Sequence, residues 1–368
     1  MPKTQKPSER STKPVSTATD TNVDSLLHQA KQDLRKGELN RAIEALDSVL
    51  LREQNHQEAL YFLAVCQRKQ QSYDNALECL KRLADAYPEY GRAYQEYGHT
   101  YAELNQHQKA VENFAIAVTH NPYLIASWRF LASHFAANKN ALKADEANRH
   151  VQHLSSLPPE LVSVNSFIAD NKIHMAEQLC RQYLQKHKHH PEAMRLLAEI
   201  GSRLQILDDA EFLLEKCVEF YPEFHHARSD YVQVLHKRQK FEKALIEAKV
   251  LYAADKNNPV FELSLASCYQ AVGRFDEALE TYDRILLRDQ SNPSVYAARG
   301  HALKTVGKTE QAISSYRQAY ELVPSYGDAY WSLANLKTYS FTESEITQMR
   351  EQQLLLLPLM TKFIYVLL

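Results

Sequence analysis

The sequence predicts an all-α solenoid built from stacked helix-turn-helix units. Alanine recurs nine times at steps of 34 residues, with one step of 32, and an interval of this length is typical of stacked helical pairs. Only 8 of the 368 residues are glycine, and so low a glycine content favours helix along nearly the whole chain. The recurring alanines are Ala42, Ala76, Ala110, Ala144, Ala176, Ala210, Ala244, Ala278 and Ala312.

The alanine spacing divides the chain into segments. Residues 1–22 form a polar tail of mainly Ser, Thr, Lys and Pro, which we expect to be disordered. Repeats 1 to 4 occupy residues 23–156, and repeats 5 to 9 occupy residues 157–326. A partial tenth repeat or junction helix follows at residues 327–353, and an apolar tail covers residues 354–368.

The single short step ends at Ala176 and contains the dipeptide Pro158-Pro159. In the preceding unit, Asn148 stands where other repeats carry a bulky side chain. Both features weaken the packing of one repeat on the next, so we expect a hinge or a change of superhelical direction near residues 153–160. The alternative is a trimmed loop that leaves the stack continuous.

The unit that begins at Gly91 shows the pattern of a repeat most clearly. Two antiparallel helices need small residues where their backbones approach, and proline ends the second helix. The residues at these phases are Tyr94, Tyr97, Gly98, Tyr101, Ala110, Phe114, Ala117 and Pro122. This pattern resembles the tetratricopeptide repeat. The resemblance implies a right-handed superhelical solenoid of nine repeats plus a partial tenth.

The segment after the ninth repeat carries a more specific resemblance. It reads YWSLANLKT from Tyr330 to Thr338 and FTESEI at residues 341–346. These motifs resemble the junction of bacterial proteins that join a tetratricopeptide array to a C-terminal sulfotransferase domain. In that family the transferase uses 3'-phosphoadenosine 5'-phosphosulfate, bound by an Arg-Ser-Gly-Thr type sequence that does not occur in this chain.

The apolar stretch LLLLPLMTKFIYVLL at residues 354–368 differs in composition from everything before it. Our preferred hypothesis is that a frameshift or stop after Gln353 removed a catalytic half and left this tail. Two alternatives are a docking helix that caps the solenoid and a weak membrane-surface anchor. Fifteen residues with Pro358 and Lys362 among them are too short for a membrane-spanning helix.

One motif looks like a phosphate-binding loop. Residues 302–309 read ALKTVGKT, and Gly307-Lys308-Thr309 matches the end of such a loop. The glycine required five positions earlier is Ala302, and no strand is predicted before it. Gly307 instead falls at the phase of the turn between two helices, and we predict a turn there.

We expect the histidine-rich segments and the cysteines to have structural roles. The histidines at residues 187–190 and 225–226 have no recognisable ligand spacing, so we expect solvated turns rather than a metal site. The cysteines form no CxxC pair, so we expect small core residues in a reducing compartment rather than disulfides. They are Cys66, Cys79, Cys180, Cys217 and Cys268.

The net charge and the search for targeting segments limit the classes of function that fit this sequence. The formal charge of −2, from 43 basic and 45 acidic residues, gives no global field that favours nucleic acid or an acidic membrane. The sequence shows no clear membrane span, and its first residues lack the apolar stretch of a secretory signal. We therefore expect a cytoplasmic protein that binds no nucleic acid.

In such repeats the first helices line a concave groove, and this groove is the predicted functional surface. Its mixed basic and aromatic residues indicate a protein or extended peptide partner, in particular an acidic one. No catalytic residue, cofactor or metal is predicted. The expected function is a non-catalytic protein-interaction scaffold; the alternative is the substrate-presenting region of a sulfotransferase. The candidate groove residues are Tyr61, Gln95, His99, Arg129, Arg195, Glu199, Arg203, His236, Lys237, His301, Lys304, Trp331 and Asn335.

Overall fold

The computed structural model describes residues 20–354. Within this range the chain forms twenty helices and no strand, which confirms the all-α helical repeat fold. The first helix begins at Asp20, three positions before the start of repeat 1 that the alanine spacing gives. The helices are α1 (Asp20–Lys36), α2 (Leu39–Leu50), α3 (Gln57–Lys69), α4 (Tyr73–Ala86), α5 (Gly91–Glu103), α6 (His107–His120), α7 (Ile125–Ala137), α8 (Ala141–Ser156), α9 (Pro159–Ala169), α10 (Ile173–Lys186), α11 (Pro191–Arg203), α12 (Leu207–Phe220), α13 (His225–Lys237), α14 (Phe241–Ala254), α15 (Pro259–Ala271), α16 (Phe275–Arg288), α17 (Pro293–Thr305), α18 (Thr309–Leu322), α19 (Gly327–Ala334) and α20 (343–354).

The described helices form two compact units, one ending at Tyr183 and the other beginning at Leu184. In each unit the apolar faces of paired helices are buried against each other and against the next pair. The division of the repeats between residues 156 and 157 stays a prediction. Residues 1–19 and 355–368 lie outside the described residues, so the expected disordered tail and nearly all of the apolar tail are not described.

The recurring alanines lie at the centre of each helix pair. Eight of them are fully buried, and Ala144 is 5% exposed. A larger side chain at this phase would push the two helices apart, because the interior is close-packed. The sequence period is therefore the period of helix–helix contact.

Two glycines make room for large rings on the opposite helix of their own repeats. A Cβ on Gly98 would lie 2.7 Å from ring atoms of Phe114, and a Cβ on Gly300 would lie 2.5 Å from the ring of Tyr316. In five other repeats the small and large members of this pair change in a compensating way, whereas Ala266 stands opposite the buried ring of Tyr282. At the same two phases stand Ala30 with Leu46, Ala64 with Leu80, Val164 with Cys180, Ala198 with Leu214 and Val232 with Ala248.

The turn inside each repeat takes a left-handed backbone conformation. Gly37, Gly273 and Gly307 have φ of 81°, 79° and 78° at this position, a conformation that glycine adopts without strain. Gly307 lies between α17 and α18, and a helix precedes it, which confirms the turn and not a phosphate-binding loop. The other repeats place non-glycine residues there, namely Gln71, Asn105, Lys139, Asn171, Gln205 and Gln239.

All five cysteines are buried. Burial raises the pKa of Cys66 and of Cys268 to about 11, which keeps both thiols protonated and unreactive. In the histidine-rich turn, Nδ1 of His190 accepts a hydrogen bond from the Ala193 N–H and caps α11. Among residues 20–354 no three His, Cys, Asp or Glu side chains are grouped to hold a metal ion. No helix of the described part is long and apolar enough to cross a membrane.

The chain changes direction after α8. The outward face of α8 is uncovered, since Leu142 is 86% exposed and Asn148 is also exposed. The end of α9 instead contacts earlier repeats of the same unit, and Asp170 lies 2.6 Å from the Arg92 guanidinium. A continuous stack brings each repeat against its neighbours only. A trimmed loop with unbroken stacking therefore does not account for this contact.

The C-terminal end of the described chain closes the last repeat. After the short α19, the backbone turns at Lys337, which has φ of 60°. The Thr342 N–H then donates to Oε2 of Glu345 at 2.8 Å, and the Glu345 N–H donates to Oγ1 of Thr342, which forms a capping box for α20. Partly buried Phe341 and Met349 pack on the core below.

Candidate functional site

A cleft of about 310 Å³ lies between α11 and α13, the first helices of two successive repeats in the second unit. Three of the predicted groove residues, Glu199, Arg203 and Lys237, line this cleft. They meet because positions 9 and 13 of a repeat lie on one face of its first helix. The complete lining is Ala198, Glu199, Ser202, Arg203, Leu214, Asp230, Gln233, Val234 and Lys237.

Arg195 binds two carboxylates that line the cleft, Glu199 and Asp230. Its guanidinium donates to both Glu192 carboxylate oxygens at 2.8 Å and to Asp230 on α13 at 2.9 Å. Burial alone lowers the pKa of Arg195, but the hydrogen bonds with Glu192 and the charge of Asp230 outweigh it and raise the pKa. Arg195 is therefore a permanently charged bridge between two repeats, and its donors are occupied by the protein itself.

Asp230 faces the cleft from α13. Burial raises its pKa, and the nearby Arg195 offsets only part of that effect. This carboxylate thus carries a desolvation cost that a hydrogen-bond donor entering the cleft would reduce.

The cations at the rim are more accessible than Arg195. The Arg203 side chain is 48% exposed, and its guanidinium donates a hydrogen bond to the Glu199 carboxylate at 2.9 Å. The Lys237 ammonium donates to Oγ of Ser202 at 2.8 Å, across the gap between the two helices. The cleft therefore has carboxylates inside and solvent-accessible cations outside, a pattern suited to a polar chain rather than an apolar ligand.

His236 is adjacent in sequence to Lys237 but does not line the cleft. Its ring contacts Phe241 edge-on, with centroids 5.1 Å apart, and its Nε2 is buried without a hydrogen-bond partner among the described residues. This predicted groove residue packs between the two helices of its own repeat.

Predicted groove residues of the first unit are mostly engaged inside the protein. Tyr61 lies edge-on to Tyr90 with ring centroids 6.1 Å apart, and burial raises its pKa to about 12. Gln95 donates to Oγ of Ser127 at 3.0 Å. His99 contacts Phe114 edge-on, and burial lowers the pKa of this imidazole. Arg129, by contrast, is exposed.

Predicted groove residues near the C-terminal end form a more open surface. Nδ1 of His301 lies 3.0 Å from the Tyr316 hydroxyl, and its Nε2 lies 3.5 Å from Asp328. Trp331 is 66% exposed on α19. Lys304 and Asn335 are exposed as well.

Six of the nine residues that line the cleft were not predicted from the sequence, and three of these are polar: Ser202, Asp230 and Gln233. A usable signal was present for Asp230, because it stands 35 positions after Arg195, close to one repeat length. Opposite charges about one repeat apart face each other across adjacent first helices. Arg92, which binds Asp170, was missed as well, since its partner lies 78 positions away.

Comparisons with known proteins identify the repeats. Family models described as tetratricopeptide repeat match residues 27–91, 91–122, 247–302 and 293–326. The chain therefore carries tetratricopeptide repeats, and its helical solenoid fold is of that type. No curated protein matches the sequence.

Solved structures with similar folds include three tetratricopeptide proteins. MamA from Desulfovibrio magneticus RS-1 is 15% identical, with 45% of this chain and 94% of that chain covered and a TM-score of 0.42. YrrB, titled a TPR protein with an unusual peptide-binding site, is 17% identical over 47% of this chain and 90% of its own, with a TM-score of 0.42. A protein from Parabacteroides merdae ATCC 43184 is 14% identical over 85% of this chain and 98% of its own, with a TM-score of 0.36.

Proposed function

We propose that this chain is a non-catalytic, cytoplasmic scaffold that binds a protein through an extended peptide in the cleft between α11 and α13. The observation that carries the proposal is the open cleft of about 310 Å³ with accessible cations at its rim and carboxylates inside. Tetratricopeptide repeats generally mediate protein–protein interaction, and the repeats matched here support that class of function.

The chemistry of the partner follows from the carboxylates inside the cleft and the cations at its rim. A carboxylate of the peptide pairs with Arg203 and Lys237, whose side chains reach the rim from adjacent helices. Peptide N–H groups donate to Asp230 and Glu199, and the Gln233 amide is placed to bind a peptide carbonyl. The preferred ligand is thus an extended segment with acidic side chains and a free backbone.

The test is a peptide array with the full chain, followed by titration of the best acidic peptide. Arg203→Glu with Lys237→Glu is expected to weaken binding by about 2 kcal/mol or more, because two charge-assisted contacts are lost. The matched control is Lys188→Glu with Lys256→Glu, which reverses two exposed charges in inter-repeat turns. Equal weakening by both double variants would assign the effect to net charge and refute the cleft.

Arg195→Glu is a poorer probe of the cleft. Arg195 already binds Glu192, Glu199 and Asp230, so its reversal would place four carboxylates together and disturb the packing of α11 on α13. A loss of binding in that variant would reflect folding as much as recognition.

A second proposal, that the chain presents protein substrates to a sulfotransferase domain, rests on the resemblance at Tyr330–Thr338 and residues 341–346. The second motif also has a structural role, because Glu345 accepts hydrogen bonds from Tyr320 and Thr342 and closes the last repeat. The intact mass of the native product, isolated with an antibody against the repeats, tests this proposal. A mass near 42.4 kDa contradicts it, and a much heavier species supports it.

A further inference from the structure

The end of α9 is bound to a polar surface of earlier repeats by a cluster of buried groups. The Asp170 side chain is only 1% exposed and accepts from Nε of Arg92 at 2.6 Å. The fully buried Asn121 also donates to Asp170, at 2.8 Å. A buried carboxylate with one charged and one neutral donor is well satisfied.

The contacts continue along α9 in both directions. Arg92 donates to Oγ of Ser166 at 2.7 Å, and its guanidinium lies 5.8 Å from the centre of the Phe167 ring. Just after the helix, the Lys172 ammonium lies 2.7 Å from Glu58. We call the receiving residues, Glu58, Arg92 and Asn121, the Arg92 surface. It spans two repeats and supplies an anion, a cation and an amide in fixed order.

The bound segment has the form of a recognition helix. Leu161, Val164 and Ile168 are buried at spacings of three and four residues and form the apolar stripe of an amphipathic helix, with Val164 at the phase that faces Cys180 of its own repeat. Ser166 and Asp170 lie four positions apart and therefore share one side of the chain. The helix thus presents an apolar stripe and a polar stripe that ends in a carboxylate.

α9 does not cover the outward face of the helix that precedes it. α9 follows α8 through a two-residue connection at Leu157 and Pro158, and the outward face of α8 is exposed instead of covered by α9. Glu58 also has a second partner, the Lys31 ammonium at 2.5 Å. Glu58 therefore keeps an ion pair when Lys172 leaves, whereas Arg92 and the Asn121 amide lose the hydrogen bonds that they make with Ser166 and Asp170 and become available to a helix that offers the same groups.

We propose that the Arg92 surface is a second binding site, for an amphipathic helix of a partner protein with Ser and Asp four residues apart near its C-terminal end. α9 occupies this site in cis, and a partner helix binds by displacing it. The cis helix lowers the apparent affinity for a partner by the fraction of molecules in which the site is open. This proposal does not depend on the cleft between α11 and α13.

A synthetic peptide of residues 157–173 is the probe, titrated against the full chain. In the Asp170→Arg chain, repulsion from Arg92 releases α9 and opens the site, so we expect the wild-type peptide to bind at least about tenfold more tightly than to the wild-type chain. The same peptide carrying Asp170→Arg is expected not to bind. The control chain, Asp145→Arg, changes an exposed charge on α8 and should behave as wild type.

Equal affinity of the peptide for the wild-type and Asp170→Arg chains, with both folded by circular dichroism, overturns the proposal. If Asp170→Arg fails to fold, Lys172→Glu provides a milder opening, because it places a carboxylate against Glu58. Hydrogen exchange of the wild-type chain gives an independent measurement. Exchange of α9 amides faster than those of α5 supports release, whereas exchange only on global unfolding overturns it.

Discussion

At the scale of single residues, Gly98 and Phe114 show how one absent methyl group sets the packing of a repeat. A Cβ on Gly98 would lie 2.7 Å from the Phe114 ring, closer than such contacts occur. Repeats with leucine in place of this phenylalanine carry alanine in place of the glycine, as in Ala64 with Leu80. In these repeats the two positions share one volume, as close packing requires.

Gly98→Ala is therefore expected to destabilise the chain by about 1–2 kcal/mol, because overpacking outweighs the gain in helix propensity. Phe114→Leu should restore part of this loss, since the double variant copies the pairing of other repeats. Denaturant unfolding of the two single variants and the double variant, read as a double-mutant cycle, measures the coupling. Additive losses would show that the two positions are independent.

Gly201→Ala on α11 is the matched control. A Cβ there would lie 3.4 Å from its nearest neighbour, the Ile206 carbonyl oxygen, so it fits with little adjustment. The expected result is a gain of about 0.5–1 kcal/mol from the lower chain entropy of alanine. A loss as large as that of Gly98→Ala would refute the assignment of that loss to the Phe114 ring.

At the scale of elements, the end of the described array depends on Glu345. Its carboxylate accepts from the Tyr320 hydroxyl at 2.7 Å and from the Tyr339 hydroxyl, and it closes the capping box with Thr342. Tyr320 in turn stacks on Tyr330, with ring centroids 4.6 Å apart. One side chain thus fixes α20 to α18, and Met349 on α20 packs against the core of the preceding repeats.

Glu345→Ala is expected to cost about 2–3 kcal/mol, because it leaves two hydroxyls and a backbone N–H without their acceptor. Glu343→Ala removes an exposed carboxylate from the same turn and should change stability by less than about 0.5 kcal/mol. Denaturant unfolding together with hydrogen exchange of α18 and α20 measures both. Similar losses in the two variants would mean that Glu345 has no special role.

The cleft between α11 and α13 shows what repeat phase predicts for an element and what it does not. The positions of Arg195, Glu199 and Arg203 within their repeat predicted that they lie on one face of α11, and this follows from helical periodicity alone. Position within the repeat did not show that the Arg195 guanidinium is ion-paired with Glu192 and Asp230, whereas the Arg203 side chain remains exposed to solvent. That difference depends on which side chains of the neighbouring helix are within reach.

At the scale of the whole molecule, two carboxylates, one in each unit, contribute to stability against acid. Burial alone raises the pKa of Glu58, but hydrogen bonds from Lys172 and Lys31 outweigh it and lower the pKa to about 2. For Glu345, the Tyr339 hydroxyl and the Thr342 N–H likewise outweigh burial and lower the pKa to about 2. Both values lie below the ordinary 4.5.

A carboxylate with a lowered pKa in the folded state stabilises the fold fully above its unfolded pKa and loses that contribution as the pH falls. We therefore expect the free energy of unfolding to decrease between about pH 5 and pH 2. Glu58→Gln should be less stable than wild type at pH 7 and should show a shallower decrease. Urea unfolding across this range measures it, with Glu53→Gln, an exposed carboxylate, as the control. Parallel curves for wild type and Glu58→Gln would contradict the assignment.

The repeat could be predicted from the sequence alone. The 34-residue alanine period, the small residues opposite large ones and the glycine at the Gly307 turn are local requirements of two packed helices, so they are written into each unit. Tertiary structure alone decided that α9 binds the Arg92 surface. That contact joins residues 78 positions apart, and no period marks it because it departs from nearest-neighbour stacking. A contact that recurs in every repeat leaves a periodic pattern in the sequence. A contact that is made once leaves no such pattern and is seen only when the folded structure brings its two partners together.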